Sequence, residues 1–191
     1  MQFNTDEISS ILATKNILSK NLFDKFNELG SSELYGFFLE NAIVSGGSIS
    51  SIYHRETPND YDIYLKDENH LKQFNELIQS SSDIKNLIKD MDEKYMVETS
   101  VKGKLVTVNA TTFKNDIQVI TRSDTTDRLE FDFIHCMPWY DFGLRKLFIS
   151  RQQYDCIEGK LLVKNPRYNL EISDKRLSKY KNRGWRFRPE K

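Results

Sequence analysis

Val44-Ser45-Gly46-Gly47-Ser48, followed after eleven residues by Asp60-Tyr61-Asp62, is the stretch on which the fold turns. Ala42-Ile43-Val44 is a short apolar strand running straight into two glycines. Without a Cβ, glycine lets the chain turn sharply and come close to a ligand. Ser48 opens the helix expected over 48–54, so its hydroxyl and the free helix N–H groups point towards a phosphate. After the break Thr57-Pro58-Asn59 a second strand begins, Asp60 to Leu65. Strand side chains alternate, so Asp60 and Asp62 share one face with Cα atoms about 6.5–7 Å apart. Tyr61 and Ile63 turn the other way, into packing. Two adjacent carboxylates repel unless a cation sits between them. An all-oxygen ligand set of this kind favours Mg²⁺ or Mn²⁺.

Outward from this stretch, the pattern is helical before it and mixed after it. Ile8, Ile11, Leu12, Leu18, Leu22, Phe26 and Leu29 recur at three- and four-residue steps and predict a helix over 6–29, capped by Thr5 and stopped by Gly30. A second helix is expected over 31–41. Further helices are expected near 68–79 and 82–95, then a hairpin around Lys102-Gly103, a strand over 116–121 and another over 129–135. The last third reads as a helix at 151–158 closed by Gly159, a strand at 161–163 and a basic helix over 173–182. Strands alternate irregularly with helices, so the fold class is α+β, a mixed sheet flanked by helices. The domain boundary falls near 165: residues 1–165 form one domain, with N-terminal helices over 6–41 and the chemistry-bearing motifs over 44–136. Residues 166–191 form a basic C-terminal extension.

The strand expected at 129–135 supplies a candidate third carboxylate. Asp132 and Glu130 share one face, and Leu129, Phe131 and Phe133 share the other. An acid flanked by two phenylalanines is poorly explained by solubility, and a strand presenting it to the same metal as Asp60 and Asp62 explains it better. Glu130 and Asp116 are the alternatives to Asp132.

Gly46, Gly47 and Ser48, then Asp60 and Asp62 on a strand, then a later strand acid, together resemble the DNA polymerase β-type nucleotidyltransferase superfamily over residues 40–136. The segments Asp116–Ile120 and Phe131–Cys136 are also similar to small phage or viral members. The resemblance implies that Gly46, Gly47 and Ser48 hold nucleotide phosphates. It implies that Asp60, Asp62 and Asp132 bind two divalent metals, Mg²⁺ or Mn²⁺. It implies transfer of an NMP group from an NTP to an acceptor hydroxyl with release of pyrophosphate, Asp132 serving as general base or acceptor-orienting ligand. A nucleotidyltransferase-like module that binds RNA or a protein partner without turnover is the alternative reading.

Composition narrows the setting. The chain has 191 residues with 28 basic and 28 acidic side chains, a formal balance of zero. Residues 160–191 carry eleven Lys/Arg against three acids, a net +8, which leaves −8 on residues 1–159. Arg183, Trp185, Arg186 and Arg188 interleave bases with an aromatic, a pattern suited to RNA phosphates and base stacking. RNA is therefore favoured weakly as acceptor over a protein or a small molecule. The rival reading packs the aromatics on the acidic body and solvates the charges. No apolar run approaches the ~20 residues of a membrane helix, so no membrane partner is expected. Two acids and no basic cluster near Met1 do not read as a signal peptide. Two cysteines cannot make a disulfide framework, so a cytoplasmic location is the default expectation. His135-Cys136 reads as a buried pair, and His54 and His70 as surface residues. Arg55 reads as a loop charge within reach of a phosphate. Lys102 and Lys104 read as hairpin-tip charges.

Overall fold

A computed structural model describes residues 2–89, 110–121 and 131–187. The expected hairpin with Lys102 and Lys104, the candidate acid Glu130 and the basic Arg188 lie outside them. Helix α1 (Thr5–Leu29) starts one residue earlier than Thr5 suggests. Asn4 is the cap: its side chain accepts the Glu7 N–H at 3.0 Å while Glu7 reaches back to the Asn4 N–H at 2.8 Å. That reciprocal capping box satisfies two otherwise orphaned donors. Gly30, at φ 70°, ends the helix in the left-handed conformation that glycine adopts without strain. Helix α2 (Ser32–Asn41) follows and delivers the chain into strand β1 (Ala42–Ser45).

Short helix α3 (Gly47–Tyr53) leads to β2 (Tyr61–Leu65), then α4 (Glu68–Ser80) and α5 (Ser82–Leu87). Helix α5 ends well short of residue 95, because Ile88 bridges Phe113 and the Lys89 N–H bonds the Thr112 carbonyl. Strands β3 (Ala110–Thr112) and β4 (Ile117–Ile120) come next. Strands β5 (Trp139–Asp141) and β6 (Lys146–Phe148), helix α6 (Arg151–Glu158), strand β7 (Leu161–Leu162), helix α7 (Asp174–Lys181) and strand β8 (Arg186–Phe187) complete the order.

Six strands form one mixed sheet in the order β3-β4-β2-β1-β5-β6, with β2 and β4 parallel and the other pairs antiparallel. Register sorts its two faces. Val44, Ile63, Val119 and Tyr140 lie side by side and are buried with Leu18, Leu22, Phe26, Phe38 and Phe74 from α1, α2 and α4. At about 1.5–3 kcal/mol for each large apolar side chain taken from water, this face anchors the sheet. Ser45, Asp62 and Gln118 lie side by side on the other face. A second, smaller core gathers Phe133, Cys136, Leu162, Tyr180 and Trp185, and so packs the C-terminal segment onto the body.

Residues 131–136 do not run as a strand. Phe133 makes one bridge to Lys164, and Ile134–Cys136 form a 3₁₀ turn. The reason is local hydrogen bonding. The Asp132 carboxylate accepts its neighbour Phe133's N–H, the Ile134 N–H bonds the Val163 carbonyl, and the Asn165 N–H bonds the Asp132 carbonyl. These bonds commit the backbone to residues 163–165 and away from the sheet.

Candidate functional site

The glycine turn and the acid strand meet as one unit. Gly46 adopts φ 95°, and a Cβ built there would lie 2.7 Å from the Asp62 Oδ2. Only glycine lets the turn sit against that carboxylate. The turn is pinned from behind: the Gly46 N–H donates to the Cys136 carbonyl at 2.9 Å, and the Ser45 hydroxyl donates to the Pro138 carbonyl at 2.8 Å. Gly47 faces open space, and Ser48 is buried with its hydroxyl lacking a partner among the described residues. A buried polar atom left unpaired is costly, and a ligand oxygen reaching Ser48 removes that cost.

These residues line a small polar cavity of about 220 Å³. Gly47, Ser48, Asp60 and Asp62 line it, with Gln118 beside Asp62. Arg176, Lys179, Tyr180 and Arg183 from the C-terminal segment line it too. Burial and the neighbouring Asp60 charge push the Asp62 carboxyl from an ordinary 3.8 up to about 7, against the pull of Arg176 and Lys179. Strand β2 starts at Tyr61, one residue later than expected, so Asp60 stands just before the strand that carries Asp62.

Asp132 does not line this cavity. It is buried and held in a two-pronged ion pair: Arg176 Nε donates to Oδ2 at 2.6 Å and Nη2 to Oδ1 at 3.1 Å. Burial disfavours the Arg176 charge, but the hydrogen bonds it donates to Asp132 and that carboxylate's charge hold its pKa above the ordinary range. Asp116 is exposed, at φ 64° in the turn before β4. Among the described residues no three His, Cys, Asp or Glu side chains gather as a metal-holding group. The donors thus fit one cation at Asp60 and Asp62, where it would relieve their repulsion. Asp132 is held by Arg176, and it joins no such group among the described residues.

A larger cavity of about 730 Å³ adjoins on the same side of the sheet, and the two share Phe131 and Arg176. Tyr64, Phe131 and Tyr168 give it aromatic walls, and Asp132 and Arg167 give it charge.

The extension places its residues unevenly. Trp185 is buried, its ring 4.0 Å from that of His135 and edge-on to His54. Arg183 lines the cavity, while Arg186 is exposed on β8. His135 and Cys136 are buried as expected. Burial, with Arg176 and His54, drops the His135 pKa to about 3, and burial and Asp132 push the Cys136 thiol up to about 12. Neither is a nucleophile or a base near neutral pH. His54 is not a free surface residue: its Nε2 lies 2.8 Å from the Ile157 carbonyl. Arg55 is exposed with φ 58°.

Sequence reading missed Gln118 and the Arg176–Lys179–Tyr180 face of α7 as cavity residues. The i, i+3, i+4 spacing of the latter was the available signal.

The fold has a known counterpart. A Thermotoga maritima CCA-adding enzyme, solved in complex with tRNA, superposes with a TM-score of 0.50 at 15% sequence identity over 83% of this chain. This chain spans 40% of that enzyme's length. The sheet and its helices are thus those of a nucleotidyltransferase fold. No curated protein matches the chain. The model of one family, described as Gabija anti-defense 2 family protein (Gad2), matches residues 14–159, and by that match the chain belongs to the Gabija anti-defense 2 family.

Proposed function

We propose that the protein is a metal-dependent nucleotidyltransferase that moves an NMP group from an NTP to an acceptor hydroxyl. One observation carries this reading: the crowded Asp60–Asp62 pair, packed against the Gly46 turn, opens into the same polar cavity as the unpartnered Ser48 hydroxyl. Asp60 and Asp62 would hold Mg²⁺ or Mn²⁺, which supplies Lewis acidity at the reacting phosphate when bound. Ser48 donates to a phosphate oxygen, and Gly46 and Gly47 keep the turn free of side chains that would block it. Gln118 sits across from Asp62 and can donate its amide N–H to a substrate oxygen. Asp132 can accept the acceptor's proton only after its bond to Arg176 opens. The larger aromatic-walled cavity has the size of a ligand site and lies on the Asp132 side, where the acceptor would enter. The exposed basic residues Lys175, Lys181 and Arg186 favour RNA as that acceptor. The family's description points to the setting, opposition to Gabija defence.

A second reading has one observation in its favour. With Asp132 tied to Arg176 and no third ligand gathered among the described residues, the fold could hold a nucleotide, RNA or protein partner without turnover. Each labelled NTP, incubated with Mg²⁺ or Mn²⁺ and total RNA or cell lysate, separates the two. Transfer of label that is lost in Asp62→Asn supports the enzyme. NTP-dependent thermal stabilisation without transfer supports the binding module.

A further inference from the structure

We infer that the C-terminal helix is the phosphate clamp of this site: Lys179 and Arg183, with Arg176, recognise the polyphosphate tail of the nucleotide. The inference rests on the nucleotide reading above and adds the residues that select the substrate's anionic end. Three observations carry it.

Arg176, Lys179, Tyr180 and Arg183 recur at i, i+3, i+4 and i+7, so α7 and the turn after it present them to one side. All four line the 220 Å³ cavity that Asp60 and Asp62 also line. The helix is fixed there by Tyr180 and Trp185, which are buried in the second core.

The charge balance of that cavity is unfinished. Asp132 already accepts two bonds from Arg176. Among the described residues no ion pair within 4 Å engages Lys179, and Arg183 reaches Glu56 only at 3.9 Å. A divalent cation at Asp60 and Asp62 would neutralise both acids and leave Lys179 without an acidic partner in the same cavity, with Arg183 held only by the 3.9 Å contact to Glu56. A di- or triphosphate group supplies the missing negative charge. Its oxygens also find the Ser48 hydroxyl, which lines the same cavity and is buried without a partner among the described residues.

The selectivity within the helix is the third point. Lys175 and Lys181 belong to the same basic segment but do not line the cavity. Lys179 lines the cavity while its side chain stays exposed, and Arg183 lines it half-buried. The clamp residues also lie beyond residue 159, where the match to the family ends, so the site is completed by a segment outside the shared region.

The test measures binding of ATP, GTP, CTP and UTP in turn, each with Mg²⁺, and of inorganic triphosphate alone, to the full chain. The variants are Lys179→Gln/Arg183→Gln and the control Lys175→Gln/Lys181→Gln, which removes the same charge. Each lost charged hydrogen bond weakens binding about tenfold or more. The clamp predicts a loss of about a hundredfold in the first variant, for inorganic triphosphate as well as for the NTP that binds, and little change in the control. Thermal melting confirms that both variants fold, and Lys179→Arg restores binding. If wild type binds NTP and the first variant binds it equally, the clamp is overturned while the nucleotide reading stands. If both variants weaken alike, a diffuse field replaces the clamp. If Lys179 and Arg183 merely neutralise the acids, the first variant gains Mn²⁺ affinity and keeps its NTP affinity. A wild-type chain that binds none of these anions overturns the nucleotide reading itself.

Discussion

Asp62 carries the sharpest consequences of any single residue. Its folded pKa of about 7 lies above the ordinary 3.8, so the native state binds this proton more tightly than the unfolded chain. That contribution to stability is complete below about pH 4 and is lost as pH rises through about 7. Asp62→Asn removes the titration. It should therefore melt higher than wild type above pH 7 and equal to it below pH 4, while losing Mg²⁺-dependent nucleotide binding. Melting curves across that range decide it, and a variant less stable at pH 8 would contradict the crowded pair. Gly46→Ala tests the other half of the unit. An alanine there carries a left-handed strain of about 1–3 kcal/mol and a Cβ driven onto the Asp62 carboxylate. At this chain length each kcal/mol lowers Tm by about 2–4 °C. A Gly46→Ala protein with unchanged Tm would contradict the close approach.

Among the elements, the decisive one is the turn around Asp132. Arg176 holds Asp132 from a helix 44 residues away. Breaking a buried ion pair from one side costs about 3–5 kcal/mol. The Arg176 side chain is 37% exposed, so solvent screening reduces the cost of Arg176→Gln to about 1–3 kcal/mol. Asp132→Asn keeps the shape and should impair label transfer more than nucleotide binding, because the proposed function puts Asp132 on the acceptor side. Equal loss of both would place Asp132 with the triphosphate instead.

What sequence can foresee follows from the range of the forces. The Gly46–Ser48 turn and the Asp60–Asp62 face are set by glycine geometry and strand alternation, which act over a few residues. Over the described residues 131–135, the strand expected at 129–135 does not form because, although its alternation is genuine, their hydrogen bonds go to residues 163–165. Strand β5 is only three residues long, directly after Pro138, and its pairing with β1 is a tertiary choice with no local signature. In sequence Arg176 is one basic residue among many, since its partner is fixed only when α7 docks.

At the scale of the molecule, an acidic body is closed by a basic segment. Trp185 anchors that closure, and Trp185→Ala should cost about 3–5 kcal/mol. If the acceptor is RNA, its affinity falls with salt, by about 0.7 in log K per log salt for each neutralised single-strand phosphate. Lys181→Ala/Arg186→Ala changes exposed charges away from the cavity. It should flatten that slope by about 0.7 to 1.4 units, about 0.7 for each single-strand phosphate no longer neutralised, and leave Mg²⁺–NTP binding unchanged. An unchanged slope would remove these residues from RNA binding.

The most direct measurement of the central claim follows the α-phosphate. Each α-³²P-labelled NTP is incubated with the protein, Mg²⁺ or Mn²⁺, and total RNA or cell lysate, and both acid-insoluble label and released pyrophosphate are counted. The account predicts that at least one NTP gives label and pyrophosphate in equal amounts, and that Asp60→Asn and Asp62→Asn each abolish both. Pyrophosphate and label absent with all four nucleotides, from a chain that binds one of them, would contradict transfer and leave a nucleotide-binding module in its place.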